Sequence, residues 1–375
     1  MWVTLLGLAG AALLLAILFA VRPRRRVRAP ITQIRPGDPV VGLPPRRPHV
    51  QPRSLSAAPV ALTGPSGIGK STTAYEYAHR NLEDFQFVGV VHAARPPLIP
   101  VAYAGFAAAL GVAPAEDPVA AVHKELAARE SWLIIFDDAG GPADVAAYLP
   151  PAGHYLVTSS APGWEGDELK PFTRDESIEF LRDRGVDRKN AKALAETVED
   201  FPLALGIAAG YLDATGVDAH DYLVRVRTQI SRVRRGALPA LWSLSASYLR
   251  SHAPDAFEAM EVWAVLGTEP IPLAVFGEGT GAGLVARLGL AVLSGDTVIV
   301  HPLVQQLVRS GPDIRRRSAV LRGAAALRRH LTDAPDERWR ALLPHVYAIT
   351  SRPELAGDRT ASWLLHHADF VAPSV

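Results

Sequence analysis

The sequence predicts an α/β fold, a parallel sheet covered by helices, that gives way to an all-helical half carrying one small hairpin. Three observations lead there. From residue 58 to about 172, short unbroken apolar runs alternate with stretches of helical spacing. Strands buried on both faces read this way, which is the habit of parallel sheets. The first of these runs, Pro59-Val-Ala-Leu-Thr63, leads into a glycine-rich turn, Gly64-Pro-Ser-Gly-Ile-Gly-Lys-Ser71, and then into helical spacing from Thr72 to Arg80. Beyond about Arg174 the strand pattern stops until Leu290–Val300, two short apolar runs around Ser294-Gly295-Asp296.

The chain has 375 residues, room for two or three domains. It contains no Cys, which excludes disulfides and Cys-ligated zinc. The net charge of +1 hides an asymmetry: residues 1–57 hold nine Arg, no Lys and one acid, Asp38, so the body is mildly acidic. That balance argues against nucleic-acid binding by the whole surface.

Trp2 to Val21 is a span of 20 residues without charge. At about 1.5 Å per residue it is long enough for a bilayer core of about 30 Å. A transmembrane helix is therefore expected over 2–21. Arg22, Arg24, Arg25, Arg26 and Arg28 follow it, and the positive-inside rule puts the body in the cytoplasm. The expectation is a single-pass protein of the cell inner membrane, contacting it through this helix and the Arg cluster. Residues 22–57 read as a basic, Pro-rich linker, a semi-stiff spacer.

Residues 58–172 read as the sheet-bearing domain. Gly-x-x-x-x-Gly-Lys-Ser between a strand and a helix is the phosphate-binding loop. Gly64, Gly67 and Gly69 let the backbone bend so that successive N–H groups converge, and the helix N-terminus adds its dipole. Gly64, Gly67, Ile68, Gly69, Lys70, Ser71 and Thr72 are thus the candidate nucleotide-binding residues. Lys70 is expected to reach the β/γ-phosphates and Ser71 to place its hydroxyl on Mg²⁺. The competing reading is a glycine turn that matches by chance. Phe85–Val91, Trp132–Phe136 and Tyr155–Thr158 are further strands, with a short one near Leu169; Ile99–Leu110 and Val119–Ala128 are helices. Asp137-Asp138 ends the strand from Trp132, where such folds hold the carboxylate linked to Mg²⁺. Asp137 is the candidate metal residue beside Ser71. Asp138 is the candidate for polarising the attacking water, so Lys70, Asp137 and Asp138 form the catalytic set. Turn acids before Ala139-Gly-Gly-Pro142 are the alternative. Thr158 ends the next strand on the same edge, either as a sensor of the γ-phosphate or as a polar strand end.

Residues 173–236 read as a helical domain, with Pro202 near a helix start, where it is tolerated. Residues 237–312 read as a winged-helix domain and 313–375 as a helical, Arg-rich tail. Gly281-Ala-Gly-Leu-Val-Ala286 matches the loose dinucleotide pattern but lacks the acid about 20 residues on. His301 alone reads as structural, as does His366-His367. Arg232/Arg234/Arg235, Arg315–Arg317 and Arg328/Arg329 read as solvated helix faces. No H-E-x-x-H or G-x-S-x-G occurs, which excludes the hydrolases those motifs mark.

GPSGIGKSTTAYEYAHR, WLIIFDDAGGPADVAAYLP, GHYLVTSSAPGW, FPLALGIAAGYL, LWSLS, VHPLVQQLVR and WRALLPHVYAI follow one another in that order. In wording and spacing they resemble the NB-ARC branch of the STAND P-loop NTPases, the bacterial type that continues into tetratricopeptide repeats. Here the repeat array is truncated, and the tail resembles its start. The resemblance implies that Pro202 packs near the adenine and that His301 touches the β-phosphate of ADP. Ser160 stands where the family usually has an Arg that senses the γ-phosphate, and only the His of its Met-His-Asp triplet is present. The expected fold class is thus an α/β P-loop NTPase domain, a helical domain and a winged-helix domain behind an N-terminal transmembrane helix. The expected function is a membrane-tethered ATP/ADP-binding signalling switch with slow ATP hydrolysis, using adenine nucleotide and Mg²⁺. A protein partner or self-association on activation is implied. The alternative is a non-hydrolysing, ADP-locked adaptor. A winged-helix DNA-binding regulator is less favoured, and no nucleic-acid partner is expected.

Overall fold

The computed structural model describes residues 40–46, 55, 61–233, 236–277, 281–311, 315–333 and 337–369. The first layer contains β1 (Val40–Val41), β2 (Ala61–Thr63), α1 (Lys70–Arg80), β3 (Val88–His92), α2 (Ile99–Ala109), α3 (Pro118–Ala127), β4 (Leu133–Ala139), α4 (Pro142–Val145), β5 (His154–Ser159) and β6 (Asp167–Glu168). The strands form one sheet in the order β1-β3-β4-β5-β2-β6. Every pairing is parallel. Parallel neighbours need crossovers, and the helices supply them.

Alternation along the strands explains why their apolar runs are unbroken. Ala61, Val91, Ile134, Phe136 and Val157 face one side, under Ile99, Tyr103 and Phe106 of α2. Leu62, Val88, Val90, Leu133, Ile135 and Leu156 face the other, against Ala74 and Ala78 of α1. Both sides are buried, so polar residues are confined to the ends of the strands. Strand β5 lies between β4 and β2. The strand carrying Thr158 therefore separates Asp137 from the glycine loop, and all three present their carboxyl ends at one edge.

Residues 40–46, expected within a spacer, instead dock on this layer. Val40 and Val41 pair with Val88 and Gly89 as an edge strand, a position that tolerates flanking prolines. The Arg46 guanidinium grips the Glu76 carboxylate at 2.6 and 3.2 Å, and the His79 ring meets the Pro44 carbonyl at 2.7 Å.

The second half comprises α5 (Arg174–Arg182), α6 (Arg188–Thr197), α7 (Pro202–Thr215), α8 (Ala219–Val233), α9 (Ala237–His252), α10 (Pro254–Trp263), β7 (Ile271–Pro272), α11 (Leu273–Phe276), α12 (Ala282–Arg287), β8 (Ala291–Ser294), β9 (Thr297–Val300), α13 (Pro302–Ser310), α14 (Arg316–His330), α15 (Glu337–Thr350) and α16 (Arg359–Ala368). Thr173 and Glu176 cap α5 reciprocally, and Pro202 occupies the first turn of α7. The expected hairpin forms: Ser294 pairs with Thr297 around Gly295-Asp296, and β7 adds a third antiparallel strand. A single apolar core runs through these helices, from Leu181 and Leu205 to Trp263, Val298, Trp339 and Leu364. The Gly281–Ala286 pattern starts α12 rather than linking a parallel strand to a helix, which removes the dinucleotide reading.

The transmembrane expectation is corrected. Residues 2–21 and the Arg cluster at 22–28 lie outside the described residues. Among the described residues no helix is long and apolar enough to cross a membrane. The longest, α9, has 16 residues and includes Arg250; it spans about 24 Å, short of the roughly 30 Å required. The described residues form a parallel-sheet α/β P-loop-like fold with helical content, no helix among them can cross a membrane, and single-pass membrane localisation is not supported.

Helix α7 touches the segment after α12 backbone to backbone. A Cβ on Gly210 would lie 2.5 Å from the Arg287 carbonyl oxygen and 2.6 Å from the Gly289 nitrogen. On the same helix, a Cβ on Gly206 would meet nothing within 4 Å. Gly210→Ala is therefore expected to destabilise by about 1–3 kcal/mol through overpacking. Gly206→Ala should be neutral or stabilising by up to about 1 kcal/mol through helix propensity. Thermal unfolding of the two variants checks this, and equal midpoints would refute the close contact.

Candidate functional site

The glycine loop is held by conformation. Gly64, Gly67 and Gly69 have φ of 129°, 87° and 101°, values that side chains beyond glycine rarely adopt. At Gly67 space is also limiting: a Cβ would lie 2.9 Å from the Phe201 ring and 3.1 Å from Leu203. The Leu203 N–H donates to the Gly67 carbonyl at 3.3 Å. The start of α7, with Pro202 in its first turn, thus sits directly on the loop. Ile68 is fully buried and anchors the loop from below.

Lys70 Nζ donates to the carbonyls of Gly64 at 2.8 Å and Pro65 at 3.1 Å. The side chain lies folded along the loop. Burial pushes its pKa down, opposed by the nearby Asp138 and Asp137 carboxylates. Ser71 and Thr72 are half-buried in the first turn of α1. The Thr73 hydroxyl donates to the Gly69 carbonyl at 2.9 Å, which fastens the helix to the loop.

Asp137 is buried with both carboxylate oxygens engaged. Oδ1 accepts from the Thr158 hydroxyl at 2.6 Å, and Oδ2 accepts from the Tyr75 hydroxyl at 2.7 Å. The Asp138 N–H in turn donates to the Thr158 oxygen at 2.9 Å. Thr158 therefore links the two acids. Asp138 lies where the β4–β5 register shifts and has φ of 57°, a left-handed conformation that Asp and Asn tolerate best. Burial raises the pKa of its carboxyl, and Asp137 raises it further, while Lys70 and His92 oppose; Glu269 adds a smaller upward push.

The structure thus brings Lys70, Asp137, Asp138 and Thr158 together beside the loop. Ser159 is fully buried and donates to the Ala139 and Gly140 carbonyls at 2.7 and 3.1 Å, a structural task. Ser160 is exposed. His301 caps α13, its Nδ1 accepting from the Leu303 N–H at 3.1 Å. Sequence reasoning missed Tyr75, Phe201, His92 and Glu269. Tyr75 had a signal: it stands four residues after Ser71 in a helix, hence on the same face.

Close to Asp138 lies a buried pair from the second half. Glu269, just before β7, and the fully buried His345 of α15 each have an atom without a hydrogen-bond partner among the described residues, Oε2 and Nδ1. The other ring nitrogen of His345 meets the Pro270 carbonyl at 3.2 Å. Burial lowers the His345 pKa, and Glu269 opposes that.

Oxygen donors suit Mg²⁺, which takes one or two protein ligands and completes its shell with water and phosphate. The Ser71 hydroxyl and Asp137 carboxylate fit that requirement. Among the described residues no group of three or more His, Cys, Asp or Glu could hold a metal ion by itself. The metal would therefore share its coordination with a nucleotide.

The raised Asp138 pKa has a sign. A carboxyl whose folded pKa exceeds its unfolded one keeps its proton longer in the folded state, so stability falls as pH rises through that window. Asp138→Asn removes the charge and retains the tolerated φ. In the nucleotide-free, metal-free protein it should raise the unfolding midpoint at pH 7 and lose that advantage below the unfolded carboxyl pKa. Denaturation across pH 3–8 checks this, and a lower midpoint at pH 7 would refute it.

No family model matches the chain, and no curated protein matches it. Among solved structures, the chain is similar to the crystal structure of a Signal Transduction ATPase with Numerous Domains (STAND) protein with a tetratricopeptide repeat sensor from Pyrococcus horikoshii. The two share 16% identity at a TM-score of 0.54, over 91% of this chain and 56% of that one. A Walker-type ATPase of Pyrococcus abyssi aligns at 14% identity and a TM-score of 0.34, over 67% of this chain and 90% of that one, too distant to bear on the fold. The chain spans little more than half the length of the STAND structure and shares its fold.

Proposed function

We propose that this chain is a STAND-type P-loop ATPase module that binds ATP or ADP with Mg²⁺ and hydrolyses ATP slowly. The observation that supports it most is the convergence of Lys70, Asp137, Thr158 and Asp138 at one sheet edge, beside a left-handed glycine loop. Each group has a task there. Loop N–H groups receive the phosphates. Lys70, now on the Gly64 and Pro65 carbonyls, exchanges those neutral partners for charged phosphate oxygens, which bind it more strongly. Ser71 and Asp137 would hold Mg²⁺, which would supply positive charge to the phosphoryl group. Asp138 orients water and accepts its proton, and its raised pKa suits that role.

The finer reading is the NB-ARC branch, with Pro202 against the adenine and His301 on the ADP phosphate. The seat of α7 on Gly67 supports a switch: a ligand in the loop touches the layer and the helical half at once. Exchange of ADP for ATP shifts the balance between closed and open arrangements by differential contacts, and a protein partner or a second copy reads the open one. The ADP-locked adaptor remains the second reading, favoured by the neutral, exposed Ser160 at the end of β5.

Lys70→Ala is expected to abolish ADP and ATP binding in titration calorimetry; unchanged affinity sinks the proposal. Ser160→Arg places a cation at the β5 end and is expected to raise ATP affinity or turnover. If both stay at wild-type level, this strand end does not face the γ-phosphate.

A further inference from the structure

We propose that Tyr75 is a positioning residue for Asp137, its hydroxyl fixing the carboxylate so that Mg²⁺ binds with the nucleotide. The inference rests on the nucleotide reading above and concerns a residue outside the phosphate loop.

Both oxygens of a buried carboxylate are held by neutral O–H donors, Tyr75 at 2.7 Å and Thr158 at 2.6 Å. The donors come from different elements. Thr158 belongs to β5 and Tyr75 to α1, which flank Asp137 on β4. Two bonds from two directions fix the plane of the carboxylate, where one would leave it free to rotate. A carboxylate offers about four acceptor positions, so the clamp leaves roughly half for a metal or its water.

Spacing adds a second argument. Ser71 and Tyr75 lie on one face of α1, with Tyr75 one turn, about 6 Å, further from the loop. The same helix thus carries one oxygen donor for the metal at its mouth and fixes the other donor from behind. The Tyr75 ring packs in the core between α1 and the sheet, beside Ala74 and Ala78, and a Phe would fill that space equally well. Only the hydroxyl reaches Asp137. Hydrogen bonds onto metal-ligating carboxylates typically contribute roughly 10- to 100-fold in metal affinity.

The experiment uses the full chain and two variants, Tyr75→Phe and Tyr75→Met. ADP affinity is measured by calorimetry in EDTA and then over a series of Mg²⁺ concentrations. The wild type should show ADP binding strengthened by Mg²⁺. In both variants metal-free ADP affinity should match wild type, while the Mg²⁺ concentration giving half the strengthening should rise about tenfold or more. A merely structural hydroxyl would lower the unfolding midpoint and leave that concentration unchanged, which overturns the inference. A lower concentration overturns it too, since Tyr75 would then compete with the metal. The Met variant, whose flexible side chain fills irregular space, carries the test if the Phe variant is unstable. If the wild type binds no ADP with or without Mg²⁺, the nucleotide reading itself has failed, and this inference with it.

Discussion

The missing side chain at Gly67 is the constraint on which the arrangement depends. Because nothing projects there, Phe201 and Leu203 close onto the phosphate loop, and the Leu203 amide reaches the Gly67 carbonyl. Any other residue would hold the start of α7 away and would also strain a backbone with φ of 87°. The same helix is equally exacting about two turns further on, since Gly210 leaves room for the backbone at Arg287–Gly289. Helix α7 thus meets the loop at its start through the Phe201 and Leu203 side chains and the Leu203 amide, and meets peptide backbone at Gly210.

Electrostatics at the sheet edge follow from the same crowding. Two adjacent acids, Asp137 and Asp138, stand at the end of a strand with one nearby ammonium, Lys70. Two neutral hydroxyls occupy the Asp137 carboxylate oxygens. Asp138 has less support and is pushed toward protonation. Burial and the neighbouring Asp137 are what raise the Asp138 pKa.

Much of this was legible in the sequence for physical reasons. The glycine loop shows because only glycine allows its backbone, and the strands show because burial on both faces confines polar residues to their ends. The turn at Gly295-Asp296 announced its hairpin in the same way. What stayed hidden depends on tertiary contact. Strand β1 is two valines among prolines and gains its conformation only by pairing with β3. Tyr75 looks like a core aromatic until Asp137 is placed opposite it. Phe201 reads in the sequence as one apolar residue before Pro202, and its contact with Gly67 shows only in the fold. The apolar run at 2–21 speaks for a membrane by composition alone, and nothing among the described residues supports that. His301 shows the limit of a single residue: its ring serves as a helix cap, a task no local pattern distinguishes from ligand contact.

The pair formed by Glu269 and His345 bears on how the second half comes apart. Each hides a polar atom that finds no hydrogen bond among the described residues. Leaving such an atom unsatisfied costs about 1–3 kcal/mol, set against a whole-domain stability of only about 5–15 kcal/mol. Solvation would return that free energy. The contact between α15 and the segment before β7 is covered by apolar groups such as Phe276, whose ring meets the His345 ring edge-on. Opening this contact therefore costs less than the apolar area around it implies, by about the free energy the two polar atoms regain in water.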